Sequence, residues 1–334
     1  MRERHEALAD ACPLCGGQDA TTLTERDRAG QPLTVVLCLG CMGRVRPMPS
    51  AKGLLQYYQS HYRPDYKRRR EPATHHVLRG ARTAVWRLRR LRGLLRPGAC
   101  VLDAGCGSGE FLYLLRAMGC KVAGIDPDDG YRGYVERELG LTVYAGGLHE
   151  QTFPPATFDV ITLHHVLEHL PRPVESLRHL AAWLRPEGWL VVEVPNLASR
   201  AEHPARRFHP AHVTYFSSTA LKYAGEQAGL TGVSLETSPD GGNLWAVFRQ
   251  GPPASPMIDR GAVAQLAEAE RRCSALCYYL SPRTWDRTRR RLWRMVEERL
   301  TARRFPSRRA ILDSFCDSKE IVHAVDADVS EPPR

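Results

Sequence analysis

Residues 103–109 read DAGCGSG, between a short apolar run at Cys100, Val101 and Leu102 and a helical segment at 110–118. Three alternating glycines carry no Cβ, so this turn lets backbone approach a ligand closely. Further apolar runs at 121–125, 141–144, 158–163 and 189–194 read as strands, and helical segments separate them. Strands alternating with helices demand a parallel sheet covered on both faces. Runs at 232–237 and 244–248, split by SPDGG, read as a hairpin that adds an antiparallel edge pair. The expected fold is α/β: a doubly wound, Rossmann-like, mostly parallel sheet with an antiparallel C-terminal edge hairpin.

Modules flank that sheet. Cys12, Cys15, Cys38 and Cys41 form two CxxC knuckles with a polar stretch between them. Four thiolates at this spacing suit a tetrahedral structural zinc, and a module so small depends on the metal for its folding energy. With all four ligands from protein, no open position is left for catalysis. The other cysteines, Cys100, Cys106, Cys120, Cys273, Cys277 and Cys316, read as buried or incidental thiols. The expected division is a zinc ribbon at 1–50, an aromatic lid and basic helix at 51–97, the sheet domain at 98–250, and a helical extension at 251–334 with a disordered tail at 326–334. In the lid, Leu54, Leu55, Tyr57, Tyr58 and Tyr62 stand close together. In the basic helix Val77, Ala81, Ala84, Leu88, Leu91 and Leu95 mark one face and arginines the other. In the extension Val263, Leu266, Cys273 and Leu280 mark one helix face, and Trp285, Leu292, Val296 and Leu300 a second. They imply an α-hairpin that packs on the sheet domain or on another subunit, so an oligomer through these helices is open.

The N-terminal MRERHEALAD has no apolar h-region and no run is long enough to span a membrane, so a cytoplasmic location is expected. The formal charge of +10 concentrates at 67–96 and 283–309. Such stretches serve either as solvated helix faces or as grips for anionic partners.

Dinucleotide enzymes place GxGxxG at this turn, so that a helix N-terminus meets a pyrophosphate. Here the spacing is GxGxG and Asp103 stands just before it, where an acid would repel a pyrophosphate but suits a cationic amino group. Asp126 ends the next strand and can accept from both hydroxyls of a ribose. An amino acid at one end and a ribose at the other describe S-adenosylmethionine. VLDAGCGSGEFL, GIDP, FDVITLHHVLEHLPRP and LRPEGWLVVEVPN together resemble the successive motifs of class I methyltransferases, over about 98–250. The ribbon followed by a tyrosine-rich segment is similar to bacterial methyltransferases of polysaccharide and natural-product clusters. The resemblance implies that Asp103, Gly105 and Gly107 hold the methionine end and Asp126 the ribose. It also implies that Leu148 covers the adenine and that His164 lies beside the methionine end.

Methyl transfer to oxygen or carbon needs a proton acceptor near neutral pKa, which suits histidine. His165, Glu168 and His169 follow the fourth strand and would share one face of a helix starting there; His212 lies in a later loop. Ubiquinone-type and small-RNA O-methyltransferases are similar at Glu168-His169, where a metal is one reading and a plain helix-start element another. Two acceptors remain open: a small molecule, such as a sugar nucleotide or natural-product intermediate, and RNA gripped by ribbon and arginines. Residues 163–166 read LHHV and not the NPPY of amino-directed or the PC of cytosine-5 enzymes, so neither of those chemistries is supported, while ribose or guanine methylation stays open. The chain is expected to bind S-adenosylmethionine and S-adenosylhomocysteine but not NAD. Calorimetric titration checks this, and NAD binding of equal strength would refute it.

Overall fold

The computed structural model describes residues 6–7, 11–60, 71–200, 202–251, 257–272 and 275–316. The expectations for Tyr62, for 67–70, for Cys273 and for the tail at 326–334 lie outside the described residues. In chain order the strands are β1 Glu6–Ala7, β2 Asp19–Arg26, β3 Pro32–Cys38, β4 Gly43–Arg46, β5 Cys100–Ala104 and β6 Lys121–Asp126. They continue as β7 Val143–Ala145, β8 Phe158–His164, β9 Leu184–Pro195, β10 Thr214–Tyr215, β11 Leu230–Thr237 and β12 Asn243–Gln250. A seven-stranded sheet has the order β11-β12-β9-β8-β5-β6-β7. β5 runs parallel to β6 and β8, β6 parallel to β7, and β11 and β12 form the antiparallel edge pair. This is the Rossmann-like sheet that the alternating pattern requires.

The chain divides into two units, one of 1–51, 163–182 and 190–286, the other of 52–162, 183–189 and 287–334. In the first, a second sheet has the order β1-β2-β3-β4-β10. The ribbon therefore does not close on itself. Its last strand pairs antiparallel with β10, Thr214 opposite Arg44 and Tyr215 opposite Gly43. A Cβ on Gly43 would stand 3.0 Å from that of Tyr215, so a side chain there would press the two strands apart.

In the second unit the helix Thr74–Arg90 buries Val77, Leu78, Ala81, Ala84, Val85 and Leu88, as its periodicity requires. Each such aliphatic side chain contributes about 1.5–3 kcal/mol on burial, alanine less. The opposite face is not simply solvated. Arg79 and Arg82 form two-pronged ion pairs with Glu298 and Glu297. The helix Arg308–Cys316, which the sequence did not suggest, buries Ile311 and Leu312 and accepts the Tyr113 hydroxyl at Asp313.

The C-terminal extension is helical, as expected. Val263 and Leu266 are buried, as the pattern implied, but Leu280, Trp285, Leu292, Val296 and Leu300 are exposed. Periodicity identifies an apolar face; it does not say that anything covers it. Among the described residues no helix is long and apolar enough to cross a membrane.

Candidate active site

The glycine turn belongs to the second unit. Gly105 and Cys106 both donate their N–H to Ile125 O, at 2.7 and 3.1 Å, which locks the turn against the end of β6. Gly105 and Gly107 stand at φ +83° and +56°, where a Cβ costs energy. Asp126 is buried; its Oδ2 accepts from Gly107 N–H at 2.8 Å and its Oδ1 from Asp128 N–H at 2.9 Å. The residue read as a ribose acceptor is thus also the brace of the turn. Asp103, equally buried, accepts from Thr162 Oγ1 at 2.7 Å, which fixes its carboxylate before any ligand arrives. Leu148 lies buried in a short 3₁₀ turn after β7.

The histidines belong to the first unit. His164 is buried and stacks on Trp245, with ring centroids 5.6 Å apart. The helix expected to start at His165 does not form. His165 takes φ +58°, and a single 3₁₀ turn, Leu167–His169, follows. A non-glycine residue in the left-handed region is strained, and such strain gathers where a site over-determines the backbone. The consequence is a regrouping. His165 turns to Glu193, with Nε2 3.4 Å from Oε1, and keeps Glu168 Oε1 3.3 Å from its Nδ1. Glu168, His169 and His212 bring one ligand atom each within 4.8 Å of one another. His165 is not part of that trio, so the expected metal-capable set of His165, Glu168 and His169 is replaced by one that includes His212.

Hydrogen bonds hold this group in place. His169 Nδ1 donates to Ala211 O at 2.8 Å, which leaves Nε2 as the lone-pair nitrogen of the neutral ring. Val213 N–H donates to Glu168 O at 2.9 Å, and Val45 N–H donates to Val213 O at 3.0 Å. The His212 ring contacts His169 edge-on at 4.9 Å and stacks on His209 at 5.0 Å. Burial depresses the His212 pKa to about 3 and that of His209 to about 4, so both rings are neutral at physiological pH. Burial works to raise the Glu168 pKa, but the charged His165 ring beside it outweighs burial and keeps the carboxyl ionised. Burial likewise works to lower the His165 pKa, yet Glu193 and Glu168 prevail and carry it up to about 10. The group is therefore one imidazolium between two buried carboxylates, beside neutral imidazoles.

The ribbon sulfurs come together in the same unit. Cys12 Sγ lies 3.4 Å from Cys41 Sγ and Cys15 Sγ 3.5 Å from Cys38 Sγ, near the ~3.8 Å edge of a tetrahedron with ~2.3 Å metal–sulfur bonds. Gly17 N–H and Gly40 N–H point at Cys15 Sγ and Cys38 Sγ, both at 3.4 Å, the donors a thiolate wants. Cys12 pulls the Cys15 thiol down and pushes Cys41 up, so the sulfurs do not share one protonation state unaided. Such a cluster fits a metal ion.

A family described as a methyltransferase domain matches residues 74–235. The C-methyltransferase NovU of Streptomyces niveus is 28% identical over 292 residues, covering 78% of this chain and 65% of that protein. Over residues 74–235, just under half of the chain, the sequence is thus similar to a methyltransferase domain. A ubiquinone biosynthesis O-methyltransferase of Burkholderia multivorans is 30% identical over 105 residues, 30% of this chain and 45% of the relative. A tRNA U34 carboxymethyltransferase of Pseudoalteromonas translucida is 31% identical over 164 residues, 45% of this chain and 51% of the relative. The chain thus spans between 45% and 65% of the length of these relatives.

Two residues of this site escaped the sequence reading. Glu193 is a buried acid inside the apolar run of β9, and an acid in such a run was itself a signal. His209 had none, because only the folded loop stacks it on His212. The His165 cluster makes a pH prediction. Its folded-state pKa lies above the ~6.5 of a free imidazole, so the stabilisation it brings is complete below about pH 6.5 and is lost as pH rises through about 10. Thermal melts from pH 6 to 10.5 should show a steeper alkaline loss for wild type than for His165→Gln. Parallel curves would refute the assignment.

Proposed function

We propose that the chain transfers a methyl group from S-adenosylmethionine to oxygen or carbon of a small molecule, a sugar nucleotide or a natural-product or polysaccharide intermediate. Bound S-adenosylmethionine supplies an electrophilic methyl on a sulfonium, whose S–C bond breaks as the new C–O or C–C bond forms. Asp103, Gly105, Gly107 and Asp126 hold that ligand, and Leu148 covers its adenine. The acceptor must lose a proton, and the observation that carries the reading is the buried, ionised Glu168 between His169 and His212. A proton arriving on His212 or on His169 Nε2 becomes half of an ion pair with Glu168, which favours the imidazolium as it forms. Burial leaves His212 without a proton but weakens it as a base, so its use as acceptor depends on Glu168 stabilising the imidazolium as it forms. His165, already charged, offers no lone pair; it holds Glu168 and Glu193 in place.

The ribbon cysteines hold a structural zinc in this proposal. Metal analysis of protein prepared without chelator should give about one zinc per chain, and Cys38→Ser should lose it and destabilise the region. Protein without zinc would refute this.

RNA is the alternative acceptor, and the tRNA-directed relative favours it. Against it stand Arg79 and Arg82, which the basic helix spends on Glu298 and Glu297. For the chemistry, His169→Gln and His212→Gln keep polar side chains but remove the proton acceptor. At least one should lower turnover about 100- to 10,000-fold with S-adenosylmethionine affinity nearly intact, read by methyl transfer and calorimetry. Wild-type turnover in both variants would move the base elsewhere or point to an acceptor that needs none.

A further inference from the structure

The helix Pro282–Ala302 is amphipathic, with seven arginines against Asp286, Glu297 and Glu298. At its C-terminal end Glu298 and Glu297 are engaged by Arg79 and Arg82. Every residue from 288 to 296, however, is exposed. Trp285, Leu292, Trp293, Val296 and Leu300 are between 55% and 71% exposed. At 3.6 residues per turn they fall within an arc of about 100°. An apolar arc of this size on a surface marks an interaction site.

We propose that this helix docks on an anionic lipid surface, lying in the plane of the headgroups. Charge identifies the occupant. Arg289 falls inside the apolar arc, four residues after Trp285 and three before Leu292. Against a second copy of the chain, that position would bring like-charged guanidinium groups into a dry seam, at a cost no packing there offsets. At a bilayer the same side chain extends its stem along the apolar face and places its head among phosphates. Tryptophan beside leucine on one face and arginine on the other is the composition of interfacial helices. The remaining arginines add attraction to an anionic leaflet within about a Debye length. Nucleic acid fits less well, because Trp285 and Trp293 could stack on bases but Leu292, Val296 and Leu300 beside them would gain no burial.

Full-length protein sedimented with vesicles tests this. Vesicles of phosphatidylcholine with phosphatidylglycerol should bind at least about tenfold more tightly than phosphatidylcholine alone, and added salt should weaken that binding. Trp293→Ser and the pair Leu292→Ser/Val296→Ser should each lose vesicle binding about tenfold or more. Their circular dichroism and S-adenosylmethionine affinity should stay at wild-type values, which separates loss of docking from misfolding. Equal or absent binding to both vesicle types overturns the proposal. So does a dimer in sedimentation velocity, or a tight single-stranded RNA complex, that Trp293→Ser abolishes while vesicle binding stays unchanged.

Discussion

The pairing of β4 with β10 governs the candidate acceptor side. β10 is two residues long and could not persist as a strand alone. It exists because the ribbon offers an open edge at Gly43–Arg46. Once paired, Val213 is held from both sides, by Val45 N–H on its oxygen and by Glu168 O on its nitrogen. His212 stands immediately before it. Cys41 stands two residues before Gly43, so the position of a histidine far along the chain is tied by backbone hydrogen bonds to the ribbon knuckle. A module that looks like an appendage thereby becomes part of the scaffold of the site.

The same region carries an electrostatic load that only mutual compensation makes tolerable. Glu168 and Glu193 are both nearly fully buried, and an isolated buried carboxylate would take up a proton or force a rearrangement. His165 pairs with both by charge, at 3.3 and 3.4 Å, and does so from a backbone in the left-handed region. The strain at that residue and the charge of its ring are two sides of one solution. A helix starting at His165 would have relieved the strain and left Glu193 without its cation.

How much of this was legible follows from the range of the interactions. The cofactor cradle was readable because it is local: a strand, a glycine turn, a helix, and an acid at the end of the next strand. Asp103, Gly105, Gly107 and Asp126 announce themselves through spacing and chemistry. The double duty of Asp126 as brace was not readable, because it depends on where the Gly107 N–H points. On the acceptor side the nearness of Glu168 to His169 was legible, and the rest of the grouping was not. HxxEH suggested one helical face, while the fold split the motif, sending His165 to Glu193 and joining Glu168 and His169 to His212. Two residues of strand at Thr214–Tyr215 are too short to show a period of two, so nothing in the sequence joined that loop to the ribbon.

Charge patterning failed in a different and instructive way. Both arginine-rich stretches read alike, as basic faces open to solvent or to an anionic partner. Folding treats them differently. Arg79 and Arg82 have Glu298 and Glu297 as intramolecular partners, supplied by more than 200 residues of intervening chain. An ion pair half in solvent adds little stability by itself, but two side by side fix the register of the helix end that carries the acids. The arginines at 289–294 lie on turns exposed all round, next to tryptophans and leucines equally exposed. A count of arginines cannot distinguish these cases, because it does not say which apolar residues beside them stay exposed. In the first helix Arg79 and Arg82 hold the fold together; in the second the basic residues border an apolar arc that is exposed.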